Sequence, residues 1–160
     1  MEINDENSAS TFTPFNTSSA LLKVRAAENA WNSKKPEAIS HAYSENSVWR
    51  TRSQVIHGRE EIITYLTKKW QKELDYRLIK ELWSFSGNRI AVRFACEYRT
   101  QDNQWFRAHG NENWEFDGFG LMQKRFACIN DLPIKEEARL LVWDGDKRPK
   151  DFPSLSELGL

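Results

Sequence analysis

A chain of 160 residues has the size of one domain, long enough to bury roughly two-thirds of the surface its unfolded form exposes. Lys and Arg number 23, as do Asp and Glu, so the formal net charge is zero and there is no basic footprint for nucleic acid or an anionic membrane. Two cysteines, Cys96 and Cys128, are too few for a disulfide framework and read as free thiols in strand-like segments, which makes the cytoplasm the expected compartment. The polar, acidic start predicts no secretory leader, and no stretch approaches the ~18 apolar residues that a bilayer span needs.

Residues 1–16 have no periodicity and are expected to form a loose arm. Leu21, Val24, Ala27 and Trp31 then recur at helical spacing behind the cap signal Thr17-Ser18-Ser19, predicting a helix over 17–35. Pro36 suits the first turn of a short second helix, 36–43, with Ile39, Ala42 and Tyr43 inward. Residues 47–52 alternate as a strand, and 53–58 turn the chain. The clearest helix runs over 58–74, where Ile62, Leu66, Trp70 and Leu74 repeat every four residues while Lys68, Lys69 and Lys72 face water.

After Asp75 the period changes to two, predicting strands over 76–85, 89–100, 104–116 and 121–130. Hairpin signals separate them: Ser86-Gly87-Asn88, Gln101-Asp102-Asn103 and Asp117-Gly118-Phe119-Gly120. Pro133 is expected to end the last strand, and residues 135–142 to form a short helix. A tail, 143–160, is held on the surface by Trp143, Phe152, Leu155 and Leu158. The organisation is therefore an arm (1–16), one domain (17–134) and a C-terminal extension packed on its surface (135–160).

Helices first and long consecutive strands after them make an α+β order: three N-terminal helices on the concave face of a strongly curved, mainly antiparallel sheet. Strands of this length accumulate twist and curl, and the enclosed volume is expected to be deeper than core side chains fill, a pocket for a small organic molecule. Seven tryptophans serve either as the wall of that pocket, as an oligomer interface or as ordinary core. Ile79, Ala91, Ala95 and Trp105 alternate with inward residues, so the outer sheet face is also apolar and points to a homodimer through it.

Three passages resemble the nuclear transport factor 2-like superfamily, which includes ketosteroid isomerases, scytalone dehydratase and SnoaL-like polyketide cyclases. They are Val48-Trp49-Arg50 followed by His57-Gly58-Arg59-Glu60-Glu61-Ile62, then Asn113-Trp114-Glu115-Phe116-Asp117 with Gly120-Leu121, then Cys128-Ile129-Asn130-Asp131-Leu132-Pro133-Ile134. More narrowly, residues 74–83, Gly110-Asn111-Glu112-Asn113-Trp114-Glu115-Phe116 and the closing Leu155-Ser156-Glu157-Leu158-Gly159-Leu160 resemble a bacterial family of unknown function. The resemblance implies a cystatin-like cone and the same dimer, with no assigned reaction.

Matched residue by residue, the isomerases' proton-shuttling aspartate falls on Arg50, and their oxyanion-hole tyrosine falls near Ala27. Their second oxyanion-hole group, a protonated aspartate, falls on Glu112. Arginine stays protonated and is no base, so the resemblance does not extend to steroid isomerisation. If Glu112 faces the cavity, Ala108, Gly110, Trp114 and Phe116 do so too, together with Phe94, Cys96 and Tyr98 on the neighbouring strand. The opposite parity turns His109, Asn111, Asn113 and Glu115 inward; the first is favoured because it buries aromatics beside one acid. Glu112 and Arg50 are the candidate catalytic pair, with Trp114, Tyr98, Phe94, Trp70, Cys96 and Cys128 as candidate ligand-binding residues. Desolvation alone makes Glu112 a neutral acid, whereas a nearby Arg50 keeps it ionised.

His41, His57 and His109 are scattered, so neither a metal nor a cofactor is expected. Three functions stay open: an acid–base enzyme of isomerase, cyclase, dehydratase or hydrolase type on a small organic substrate, a non-catalytic module binding a ligand or protein, and a dimeric adaptor.

Overall fold

The computed structural model describes residues 13–160. In chain order the elements are α1 (Thr17–Ser33), α2 (Pro36–Ser40), β1 (Tyr43–Thr51), β2 (Gln54–His57), α3 (Gly58–Lys72), β3 (Leu74–Ser86), β4 (Arg89–Arg99), β5 (Trp105–Phe116) and β6 (Met122–Ile134). A short 3-10 turn, Glu136–Ala138, follows. Six strands form one sheet in the order β2-β1-β6-β5-β4-β3. Every pair is antiparallel except β1 with β6. This is the α+β architecture expected, with the three helices against the sheet.

The bulk of the arm, residues 1–12, lies outside the described residues. By Phe15 the chain is docked: that ring is buried edge-on against Phe116, and its N–H donates to Gly87 O at 2.9 Å. Asn16 then caps α1 in a capping box with Ser19, satisfying backbone donors that the first turn leaves unpaired. At the other end Lys34 closes the helix in the left-handed conformation.

The buried stripe of α1 is Ala20, Val24, Glu28 and Trp31, with Leu21 left half exposed. Glu28 belongs inside because its carboxylate is satisfied there. Oε1 accepts the backbone N–H of Lys80 at 2.9 Å, and Oε2 accepts from Arg25 at 2.8 Å and from Arg148 at 3.1 Å. One turn on, the Asn32 amide donates to Leu78 O and accepts from Leu78 N–H. β3 is an edge strand, and α1 thereby closes its open edge with side-chain hydrogen bonds.

Four local expectations are corrected. Residues 54–57 pair with β1 as a strand rather than turning freely, and residue 43 opens β1 rather than closing α2, which leaves Ala42 exposed. Pro133 lies within β6, opposite Phe106, because β6 has lost its other neighbour by that point: its last pairing with β1 is Thr51 with Ala127. Lys69 does not face water; its ammonium lies 5.0 Å from the centre of the Tyr76 ring and is paired with Glu73 at 2.7 Å.

The tail covers the outer face of the sheet. Leu141, Trp143 and Leu155 bury Ile79 and Ala95 in a second apolar cluster. The Glu97 carboxylate, buried on this outer face, accepts the backbone N–H groups of Leu140 and Leu141 and pairs with Arg107. Trp105 is buried as well, with the Arg139 guanidinium 4.1 Å from its ring centre. Three of the four apolar outer residues that pointed to a second copy are thus covered by the chain itself. No helix among the described residues is long and apolar enough to cross a membrane.

Candidate functional site

The inner parity of β4 and β5 is the aromatic one. Phe94, Cys96 and Tyr98 on β4 and Ala108, Glu112, Trp114 and Phe116 on β5 are buried on the helix side, while Asn111 and Asn113 are exposed. Gly110 also belongs to this face. A Cβ there would sit 2.3 Å from the Phe94 ring and 2.7 Å from Cys128 O, so glycine lets that ring lie flat on the strand.

The partners of Glu112 differ from those expected. Its Oε1 accepts from Lys80 Nζ at 2.5 Å. Its Oε2 accepts from Arg125 Nε at 2.7 Å and from Trp114 Nε1 at 2.8 Å. All three ionic side chains are almost fully buried, so two cations share one carboxylate inside the cone. Aromatic faces enclose both cations. Arg125 lies 4.7 Å from the ring centres of Trp31 and Trp49, and Lys80 lies 4.9 Å from that of Phe94 and 5.3 Å from that of Trp114.

Electrostatics follow from this geometry. Burial pushes the Glu112 carboxyl up, but Arg125 and Lys80 outweigh it and hold the group well below the usual carboxylate range, ionised. Burial lowers the Lys80 ammonium, against the pull of Glu112 and with the push of Arg125. Burial also raises the Tyr43 hydroxyl to about 12 and the Cys96 thiol to about 12, leaving both protonated. The Arg125 guanidinium is only partly satisfied: its Nη1 is buried with no hydrogen-bond partner.

Arg50 is not part of the cluster. It is exposed on the outer face of β1, 5.6 Å from the centre of the Phe126 ring, because Trp49 takes the inward position and period two sends its neighbour out. Cys128 is likewise exposed and lines nothing inside. A bulge in β6 sets the face of Cys128. Phe116 pairs with Met122 but Glu115 with Lys124, so one extra residue enters β6 there. Every later residue of β6 changes face, which turns Cys128 out and brings Arg125 in beside Trp114.

Trp70 is half-buried, its ring against Trp31 and Tyr76. Tyr98 is buried with its ring stacked on Phe106, and its hydroxyl donates to Asp131 at 2.7 Å. Lys80 and Arg125 went unnoticed in the sequence. Lys80 left a signal, an inward position in the alternation Tyr76, Leu78, Lys80, Leu82. Arg125 left none without knowledge of the bulge.

The deep hollow expected from strand curvature is largely filled. Trp31, Trp49, Tyr76, Phe94 and Trp114 occupy it, leaving a crevice of about 10 Å³, room for roughly one water. Lys80, Glu112 and Arg125 line it, and so do Arg52, Lys69 and Glu73. Those last three also line an open surface groove of about 590 Å³ between α3 and β2, so they stand between groove and crevice. Arg52 is held there by Asp131 at 2.6 Å.

The family profile described as "Protein of unknown function (DUF1348)" matches residues 13–142. The chain belongs to that family. No curated protein matches it. Among solved structures it is similar to a nuclear transport factor 2-like protein of unknown function from Burkholderia pseudomallei K96243, with TM-score 0.62 and 17% identity over 69% of this chain and 90% of that one. It is also similar to the epoxide hydrolase/cyclase-like enzyme SalBIII of pyran ring formation in the polyether salinomycin, with TM-score 0.58 and 16% identity over 68% of this chain and 89% of that one. A putative SnoaL-like polyketide cyclase from Shewanella denitrificans OS-217 matches with TM-score 0.56 and 12% identity over 65% of this chain and 85% of that one. At such identities the likeness establishes the fold alone: a nuclear transport factor 2-like, SnoaL-like cone.

Proposed function

We propose that this protein takes a small organic carboxylate through the groove into the crevice, where Arg125 and Lys80 hold it, and that Lys80 exchanges a proton with it. The observation that carries this reading is the charge count of the cluster, two buried cations on one carboxylate, with Arg125 Nη1 unpaired. A buried charge without a counterion is costly, and an incoming anion supplies both the missing charge and the missing acceptor. Ionised Glu112 is the electrostatic anchor rather than the acid. Lys80, lowered by burial, is the group of the cluster that gives up a proton more readily than an ordinary lysine. The cyclase and hydrolase names carried by structural neighbours support chemistry on a small organic substrate.

The crevice has to widen for any such ligand. Arg52 and Asp131 are partly exposed, and pairs of that kind contribute only ~0–1 kcal/mol, so opening the mouth there is cheap.

Thermal unfolding with acetate, pyruvate or benzoate, each against its neutral amide, tests the reading. Saturating carboxylate should raise Tm, with about 2.7 kcal/mol of stabilisation at 100 times Kd. The amides should not, and Arg125→Met should abolish the shift. Equal shifts for acids and amides, or none, would sink it. A carboxylate that stabilises the fold and is recovered unchanged makes the protein a non-catalytic binding module. A homodimer through the outer face is proposed only for the strip the tail leaves uncovered, around Ala91, Asn113, Phe126 and Arg50.

A further inference from the structure

We infer that the carboxylate taken by this site is a 2-oxo acid and that Lys80 Nζ condenses with its keto carbon to form an imine, an inference that rests on the anion-binding reading above. Arg125 and Lys80 bond the two oxygens of the same Glu112 carboxylate, so their cationic groups lie side by side at the floor of the crevice. A 2-oxo acid carries its acceptor and its electrophile on adjacent carbons. With its carboxylate on the unpaired Arg125 Nη1, the keto group shares the crevice with Lys80 Nζ.

Lys80 is placed for nucleophilic work rather than surface salt bridging. Its backbone N–H is fixed by Glu28, its amine is enclosed by Phe94, Trp114 and Trp31, and a second cation stands beside it. An amine desolvated by aromatic walls and next to another cation more readily gives up its proton, which frees the lone pair for attack.

The step balances without any redox partner. As the nitrogen's lone pair adds to the keto carbon, one of the three protons of the Lys80 ammonium passes to the keto oxygen, while Glu112 Oε1 stays ionised against the nitrogen. The resulting hydroxyl leaves with a second proton as water, and the third stays on the nitrogen of the new C=N bond, so the positive charge facing Glu112 is kept. The amine nitrogen stays bound to the former keto carbon.

Reductive trapping tests this. The protein is incubated with pyruvate and cyanoborohydride, and the adduct is located by intact mass and peptide mapping. The expected result is a single reduced adduct on Lys80, absent from Lys80→Arg. Labelling should fall about tenfold in Arg125→Met, which loses a charged hydrogen bond to the carboxylate but keeps the amine. Neutral propanal should label Lys80 more weakly than pyruvate. Because the wild-type map alone shows whether Lys80 reacts, a variant that fails to fold leaves the test intact. Pyruvate that raises Tm but never labels Lys80 overturns the imine and leaves anion binding standing. Pyruvate that does neither overturns both.

Discussion

At Glu112 the residue-scale account is one of shared charge. Removing the carboxylate leaves Lys80 and Arg125 facing each other in a buried aromatic box, the costly way to break a buried ionic cluster. Glu112→Gln is expected to destabilise the fold by about 3–5 kcal/mol in urea unfolding. Lys80→Met should cost less, because the Glu112 to Arg125 pair survives it. The pH dependence has a definite sign. The folded carboxyl titrates below its unfolded value, so its contribution is complete above the unfolded value near 4.5 and is lost as pH falls towards the folded one. Unfolding below pH 4.5 should therefore be shallower in Glu112→Gln than in wild type. An equal acid sensitivity of the two proteins would mean the group is not held ionised by its neighbours.

Elements were legible where periodicity was long. The four-residue repeat of α3 and the alternation of β4 and β5 fixed their faces, including the inward turn of Glu112, Trp114, Phe94 and Cys96. What failed was local irregularity. A single extra residue in β6 exchanged Cys128 for Arg125 inside the cone, and a one-residue offset on β1 exchanged Arg50 for Trp49. Neither slip leaves a trace in apolar patterning, because either parity of residues 47–52 turns one large apolar side chain inward, Val48 or Trp49, and either parity of residues 124–128 offers Phe126 or Ala127. The tail, too, read only as surface-bound. Its anchors are Leu141 in the outer cluster and the Glu97 carboxylate under Leu140 and Leu141. Leu141→Ala is expected to cost about 2–5 kcal/mol. It should also speed amide hydrogen exchange at residues 140 and 141, and unchanged exchange there would show that the tail does not depend on this contact.

For the whole molecule, composition and element order led to the cone, but not to how full it is. Volume inside a curled sheet depends on which rings point in, and here tryptophans from α1, β1 and β5 converge with Phe94 and Tyr76. The seven tryptophans are mainly core, and the ionic cluster sits among them as the polar part of a packed interior. The uncovered groove and the three side chains between it and the crevice give that interior its way out. Function then turns on whether the cluster accepts a further anion. A crystal structure of the protein soaked in pyruvate tests this most directly. The account predicts a carboxylate bonded to Arg125 Nη1 beside Lys80, with Arg52 swung away from Asp131. Density for pyruvate confined to the outer groove, with the Lys80, Glu112 and Arg125 cluster undisturbed, would contradict it.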